Sequence, residues 1–204
     1  IRPRVSGFID KVAFEEGSLV RKGDLLFQID PRPFEAQVKR LQAELQQARA
    51  TERRTASEAE RGERLRANNA ISAELADARA SAASEAKSAV AAIQAQLDAA
   101  KLDLGFTRVT APIDGRVGRA LITAGNLVNA GEALLTTLVS TDKVYAYFEA
   151  DERTYLKYRE LARNGDRGEA TPVYLGLSSE DGHPHLGHMD FVDNQVDPRT
   201  GTIR

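Results

Sequence analysis

A chain of 204 residues, 42% of them hydrophobic, is long enough for one large or two to three small cored domains. Its net charge of −2 excludes the basic field that nucleic acid would require. The absence of cysteine excludes a disulfide framework, a thiol nucleophile and a Cys-based zinc site.

No apolar run approaches the ~20 residues of a membrane-spanning helix, and no signal peptide is present. Ile1 and Arg204 both fall in strand-like runs, so the chain reads as a fragment with any targeting segment, such as a lipobox cysteine, upstream. In chain order, Phe8–Val12, Leu19–Val20 and Leu25–Ile29 are short β-type runs separated by turns at Glu16-Gly17 and Lys22-Gly23-Asp24.

Between Pro33 and Pro112 there is no proline, and the only glycines are Gly62 and Gly105, so this stretch reads as helix. Phe34, Val38, Leu41, Leu45, Ala48, Glu52, Thr55, Ala59 and Gly62 fall at successive a and d positions, with Glu52 the weak layer. After Asn68-Asn69-Ala70-Ile71-Ser72 a second register runs Ala76, Arg79, Ala83, Ala86, Val90, Ile93, Leu97, Ala100, Leu104, from which only Arg79 departs. Two seams of near-equal length with a short connection predict an antiparallel helical hairpin, a thin rod of about 50 Å. Ser72 is expected to cap the second arm, with Glu74 in its first turn.

Behind the rod the beginning of the chain is repeated. Sliding residues 5–30 by 108 positions pairs Gly7 with Gly115, Gly17 with Gly125, Leu19 with Leu127, Val20 with Val128, Gly23 with Gly131 and Leu26 with Leu134. All six glycines are read as turn positions needing φ > 0. One copy has too few strands to bury both faces, so the two halves should pair into one small β-sandwich with the rod inserted between them.

From Lys143 the character changes. Val144–Phe148 alternates as a strand, and Asp151 caps a helix from Glu152 to about Ala162 with Tyr155, Tyr158 and Leu161 on one face, ended by Asn164-Gly165. Pro172–Leu177 and Gly187–Val192 read as strands across an Asp181-Gly182 turn, and Asp197–Gly201 is a further turn.

The motifs SGFIDKVAFEEGSLVRKGDLLFQID and APIDGRVGRALITAGNLVNAGEALLTTLV together resemble the split lipoyl (biotinyl-like) domain of bacterial membrane fusion proteins, the periplasmic adaptors of tripartite efflux pumps. Arg61, Leu65 and Ser72 match that family's Arg-x3-Leu-x6-Ser pattern around the hairpin tip. TDKVYAYFEADERTYLKY and NQVDPRTGTIR resemble adaptors that serve RND-type transporters. The resemblance implies an α+β multidomain fold: lipoyl-like halves at 1–31 and 105–142, an α-helical hairpin at 32–104, and an incomplete β-barrel with one short helix at 143–204. It implies a periplasmic, inner-membrane-attached adaptor between an inner-membrane RND drug/proton antiporter and an outer-membrane channel. A ring of six copies belongs to that picture, with no cofactor, no nucleic acid, and membrane contact only through segments outside this chain. An adaptor of an ABC or MFS exporter remains the alternative, and a carrier domain of a lipoyl or biotin enzyme a further one.

Read from the residues alone, Arg61 is a solvated arginine, Leu65 the last seam layer and Ser72 a helix cap; with the family pattern they become a docking set. No Gly-x-Ser-x-Gly, His-Glu-x-x-His or phosphate-loop motif occurs, so no catalytic residue is assigned. Carrier enzymes of this family bear their cofactor on a lysine between the halves; here that connection is the rod. His183, His185 and His188 match no zinc spacing and read as solvated loop histidines.

Overall fold

The computed structural model describes residues 1–163 and 171–204, which form two compact units, 1–143 and 144–204. In the first, β1 (Gly7–Val12), β2 (Leu19–Val20) and β3 (Leu25–Ile29) precede α1 (Arg32–Ala67) and α2 (Ala73–Phe106). Then follow β4 (Arg108–Thr110), β5 (Gly115–Val117), β6 (Leu127–Val128) and β7 (Leu138–Val139). The helix runs two residues past Leu104, carrying Gly105 inside its last turn.

A four-stranded sheet in the order β4-β3-β1-β6 and a three-stranded sheet β2-β5-β7 enclose one core of Ile9, Leu26, Phe27, Ile29, Val117, Val128 and Leu135, each at most 1% exposed. Each half lends a strand to the other. Gly7 pairs with Val128 and Phe8 with Leu127, and the same pairs moved by 108 residues recur as Val20 with Gly115 and Leu19 with Arg116.

The exchange extends to single hydrogen bonds. The Ile9 N–H donates to the Asn126 carbonyl (2.9 Å) and its copy, Val117, to Ser18 (3.0 Å); Gly131 donates to Pro3 and Gly23 to Ala111, both at 2.8 Å. Ala111 also donates back to Asp24 at 2.9 Å, a bond that its copy Pro3 cannot reciprocate because it has no N–H. The sequence repeat is therefore an approximate two-fold in the hydrogen bonding, and β2 and β6 each find their one strand partner in the other half.

Gly17, Gly23, Gly125 and Gly131 have φ of +76°, +97°, +89° and +75°. Gly7 and Gly115 do not lie in turns. They stand in β1 and β5, and what demands glycine there is close approach: a Cβ on Gly7 would meet Ile29 Cγ2 at 2.7 Å, and one on Gly115 would meet the Val139 carbonyl oxygen at 2.2 Å.

α1 and α2 pack antiparallel, as the pairs Arg49/Gln94, Gly62/Arg79 and Arg66/Asp77 show. Val38, Leu41, Leu45, Leu97 and Ala100 are the buried layers near the β-sheets, and every remaining seam residue, Glu52 and Arg79 included, is at least half-buried. At the root, Asp30 receives the Arg32 guanidinium at 2.8 and 2.7 Å and the Arg32 N–H at 3.0 Å. It thereby serves the helix start that Pro31 cannot cap. These bonds hold the Asp30 carboxyl below its usual range.

In the second unit β8 (Ala150–Asp151) leads into α3 (Glu152–Arg163), followed by β9 (Thr171–Leu175), β10 (His185–Met189), β11 (Val196–Asp197) and β12 (Thr202–Ile203). β9 and β10 form a hairpin, and β11-β12-β8 a small sheet. The Asp151 carboxylate accepts the Thr154 N–H at 3.3 Å, capping α3. The strand expected over Val144–Phe148 does not form. Its alternating side chains are mostly exposed and no described strand pairs with its backbone, so the alternation has nothing to register against. The stop expected at Asn164-Gly165 and the side chain of Leu161 lie outside the described residues.

Candidate functional site

The far end of the rod is built by two caps. Asn69 sits at φ +56° just beyond α1; its N–H donates to the Arg66 carbonyl at 2.9 Å and that of Ala70 to the Leu65 carbonyl at 2.8 Å, the double bond pattern that closes a helix through a left-handed residue. Ser72 Oγ accepts the Leu75 N–H at 3.2 Å and opens α2. Arg66 and Asp77 pair across the turn at 3.1 Å.

On this frame Arg61 and Leu65 stand one helical turn apart on α1, Arg61 exposed and Leu65 half-buried, with the exposed Ser72 across the turn. No hydrogen bond or ion pair joins the three, so what unites them is their position at one end of the rod. The Ser72 oxygen is engaged by the cap, which leaves its O–H as a donor. Leu75, 44% exposed beside them, reads in the sequence only as the third residue of the arm that Ser72 caps, because it falls outside the a/d register and outside the family pattern. Asn69 and the Arg66–Asp77 pair were equally invisible there: both depend on how the turn closes.

Elsewhere the chemistry is sparse. His185 Nε2 lies 2.9 and 3.0 Å from the two Glu180 carboxylate oxygens, and the Leu177 N–H, also at 2.9 Å, together with His185 holds the Glu180 carboxyl below its usual range. His183 and His188 do not join them, and among the described residues no cluster of His, Asp or Glu fits a metal ion. The second unit contains an apolar hollow of about 160 Å³ lined by Tyr145, Phe148, Tyr155, Tyr158, Met189 and Phe191. At its rim the Arg204 guanidinium lies 5.8 Å from the centre of the Tyr147 ring.

The family model described as the RND MFP (membrane fusion protein) barrel-sandwich hybrid domain matches residues 1–140. The chain belongs to the RND membrane fusion proteins. Among curated membrane fusion proteins and their kin it is 35% identical, over its whole length, to the efflux pump periplasmic linker BepD of Brucella suis biovar 1 (strain 1330), covering 53% of that protein. It is 33% identical to the multidrug efflux pump subunit AcrA of Escherichia coli (strain K12), covering 52%. The chain thus spans about half the length of these relatives. Among solved structures, the membrane fusion protein Spr0693 of Streptococcus pneumoniae R6 superimposes over 97% of this chain and 78% of its own, with a TM-score of 0.68 at 15% identity. That likeness concerns the fold alone. Among the described residues no helix is long and apolar enough to cross a membrane.

Proposed function

We propose that this chain is the central part of a non-enzymatic periplasmic adaptor that joins an inner-membrane RND drug/proton antiporter to an outer-membrane channel. The observation that carries the reading is the insertion. A long two-helix arm leaves the end of β3 and returns into β4, so the strand-exchanged β core holds its root and its capped tip is free to reach a partner. On this reading residues 1–31 and 105–142 are two halves of a lipoyl-like domain, 32–104 the hairpin, and 143–204 an incomplete β-barrel. The apolar hollow around Tyr155 and Met189 is then barrel core to be closed by the rest of the longer protein. Six copies arranged in a ring would place six tips against one channel, and weak contacts repeated sixfold become a stable seal.

An RND partner is favoured over an ABC or MFS exporter because the matching family model is that of the RND adaptors. Catalysis by a carried lipoyl or biotinyl group lacks its lysine: the link between the halves is the rod, entered at Asp30-Pro31-Arg32 and left at Gly105-Phe106. A periplasmic location with a lipid anchor upstream of this chain completes the proposal.

The test is site-specific crosslinking in cells, with a photoreactive residue at Ala70 of the full-length protein, exposed in the turn beside the docking residues but not one of them. A crosslink to an outer-membrane channel supports the adaptor reading. Its absence in cells that still show efflux would refute the reading, as would a lipoyl or biotinyl adduct in the intact mass.

A further inference from the structure

Arg79 is the one charged residue in the seam of α2, and its stem crosses that seam over a glycine. Its Cδ lies 3.0 Å, and its Nη1 3.6 Å, from where a Cβ on Gly62 would stand, so any larger residue at 62 would push the arginine aside. Gly62 is buried and Arg79 half-buried. Two nearby arginines are neutralised within the rod, Arg54 by Glu58 at 2.9 Å and Arg66 by Asp77 at 3.1 Å, while the exposed Arg53, Arg61 and Arg64 have no ion pair among the described residues; Arg79 differs from those three in lying half-buried in the seam. Among the described residues, no carboxylate comes within ion-pairing distance of Arg79.

For packing alone this layer is poorly composed. A glycine inside a helix and a partly desolvated guanidinium both weaken a rod, whereas the layers of Leu45 and Leu97 show what the same seam does when only burial matters. The antiparallel register puts Arg79 level with Gly62, next to Arg61 in sequence and about 10 Å from the turn. A second cation thus stands at the level where the exposed Arg61 does, without an internal partner.

We infer that Arg79 is a specificity-determining contact of the hairpin tip, pairing with a carboxylate on the protein surface that the tip docks against, and that Gly62 is glycine to let its stem reach across. This rests on the docking reading of the tip. Arg61 and Arg79 then form a two-cation pattern on the two arms, which a channel surface bearing acids at matching spacing would recognise and a neutral one would not.

The experiment measures binding of the full-length adaptor to its own outer-membrane channel at about 50 and about 300 mM salt, a range over which exposed pairs are screened. Arg79→Met keeps the stem and removes the charge, Arg79→Lys keeps the charge, and Leu65→Asp probes docking itself. Arg79→Met is expected to bind about tenfold more weakly at low salt with a shallower salt dependence, and Arg79→Lys to stay within about threefold of wild type. Melting of the rod should be unchanged for Arg79→Lys and unchanged or slightly raised for Arg79→Met, which removes a partly desolvated charge. Wild-type affinity and salt dependence for Arg79→Met, with binding abolished by Leu65→Asp, would overturn the inference while sparing the docking reading. Equal loss with Met and Lys would overturn it too, by assigning Arg79 a shape role only. Unimpaired binding of Leu65→Asp would remove the docking reading and this inference with it.

Discussion

Gly7 and Gly115 occupy equivalent places in the two halves, and each is glycine because a neighbour stands where its Cβ would be: the Ile29 Cγ2 methyl for one, the Val139 carbonyl oxygen for the other. The neighbours differ in how far they can yield. The Ile29 methyl is fixed to a branched Cβ in the core and yields only by a small χ1 or backbone shift, whereas the carbonyl at 2.2 Å belongs to β7 and cannot move without breaking its pairing with β5.

Gly115→Ala is therefore expected to cost about 3 kcal/mol or more and Gly7→Ala about 2 kcal/mol, the difference between displacing a strand and shifting a buried side chain. Urea unfolding of the two variants measures it. Near-wild-type stability for Gly115→Ala would mean that β5 and β7 do not pair in the observed register.

Gly17 and Gly125 present the opposite case, with positive φ and nothing within 4 Å of the place a Cβ would take. Strain alone opposes substitution, so Gly→Val should cost more than about 1 kcal/mol at both, and Gly→Asn distinctly less, since asparagine tolerates the left-handed region. Similar losses at the two sites are expected from their equivalent hydrogen bonds, Gly17 to Val117 and Gly125 to Ile9. A Val variant as stable as wild type at either site would contradict a left-handed backbone there.

At the tip, Asn69→Gly should be neutral or slightly stabilising and Asn69→Val destabilising by about 1 kcal/mol, because φ of +56° is a cost that glycine escapes and valine feels most. Ser72→Ala removes the acceptor for the Leu75 N–H and should cost about 1 kcal/mol of local stability. Hydrogen exchange at the amides of residues 69 and 70 reads the first effect and at that of Leu75 the second, and amides of the β core serve as the internal control.

The second unit has an acid-sensitive helix start. The Thr154 hydrogen bonds hold the Asp151 carboxyl below its usual value. A carboxylate whose folded pKa is depressed contributes stability that is fully present above its unfolded value near 4 and is lost as the pH falls through the lower folded value. Protection of the Thr154 amide should accordingly decline only below about pH 4. Asp151→Asn should keep a cap and abolish that pH dependence; an unchanged acid limb in the Asn variant would show that another group titrates.

Much of this was legible because the signals repeat. Seam positions from Phe34 to Leu104 could be numbered from the heptads alone, since side chains that meet along a rod must recur with its period. The equivalence of Val20 with Val128 was readable in the same way. Gly7, Gly115, Arg79 and Asn69 were harder, for their roles are fixed by what approaches from across the fold: Ile29, Val139, Gly62 and the closing turn respectively. Val144–Phe148 misled for a related reason, since alternation marks a side-chain pattern and a strand also needs a neighbour to bond.

The tip residues carry the prediction with the widest consequence. Arg61, Leu65 and Ser72 offer a cation, an apolar knob and a hydroxyl at the end of a rod whose described residues give them no ionic partner and only half-bury Leu65. Fully burying Leu65 against a partner would contribute about 1.5 to 3 kcal/mol, and Arg61 would add charge-assisted bonds. In the proposed ring, small losses would multiply across the copies. Leu65→Asp, Arg61→Asp or Ser72→Arg in the full-length protein should each abolish efflux and channel binding, measured as drug susceptibility and co-purification. Expression and far-UV helicity should stay near wild type, because the apolar cluster of Val38, Leu41, Leu45, Leu97 and Ala100 that holds the two arms together lies at the rod's other end. Full drug resistance in cells carrying Leu65→Asp together with Arg61→Asp would return Arg61 to a solvated helix face and Leu65 to the last layer of the seam.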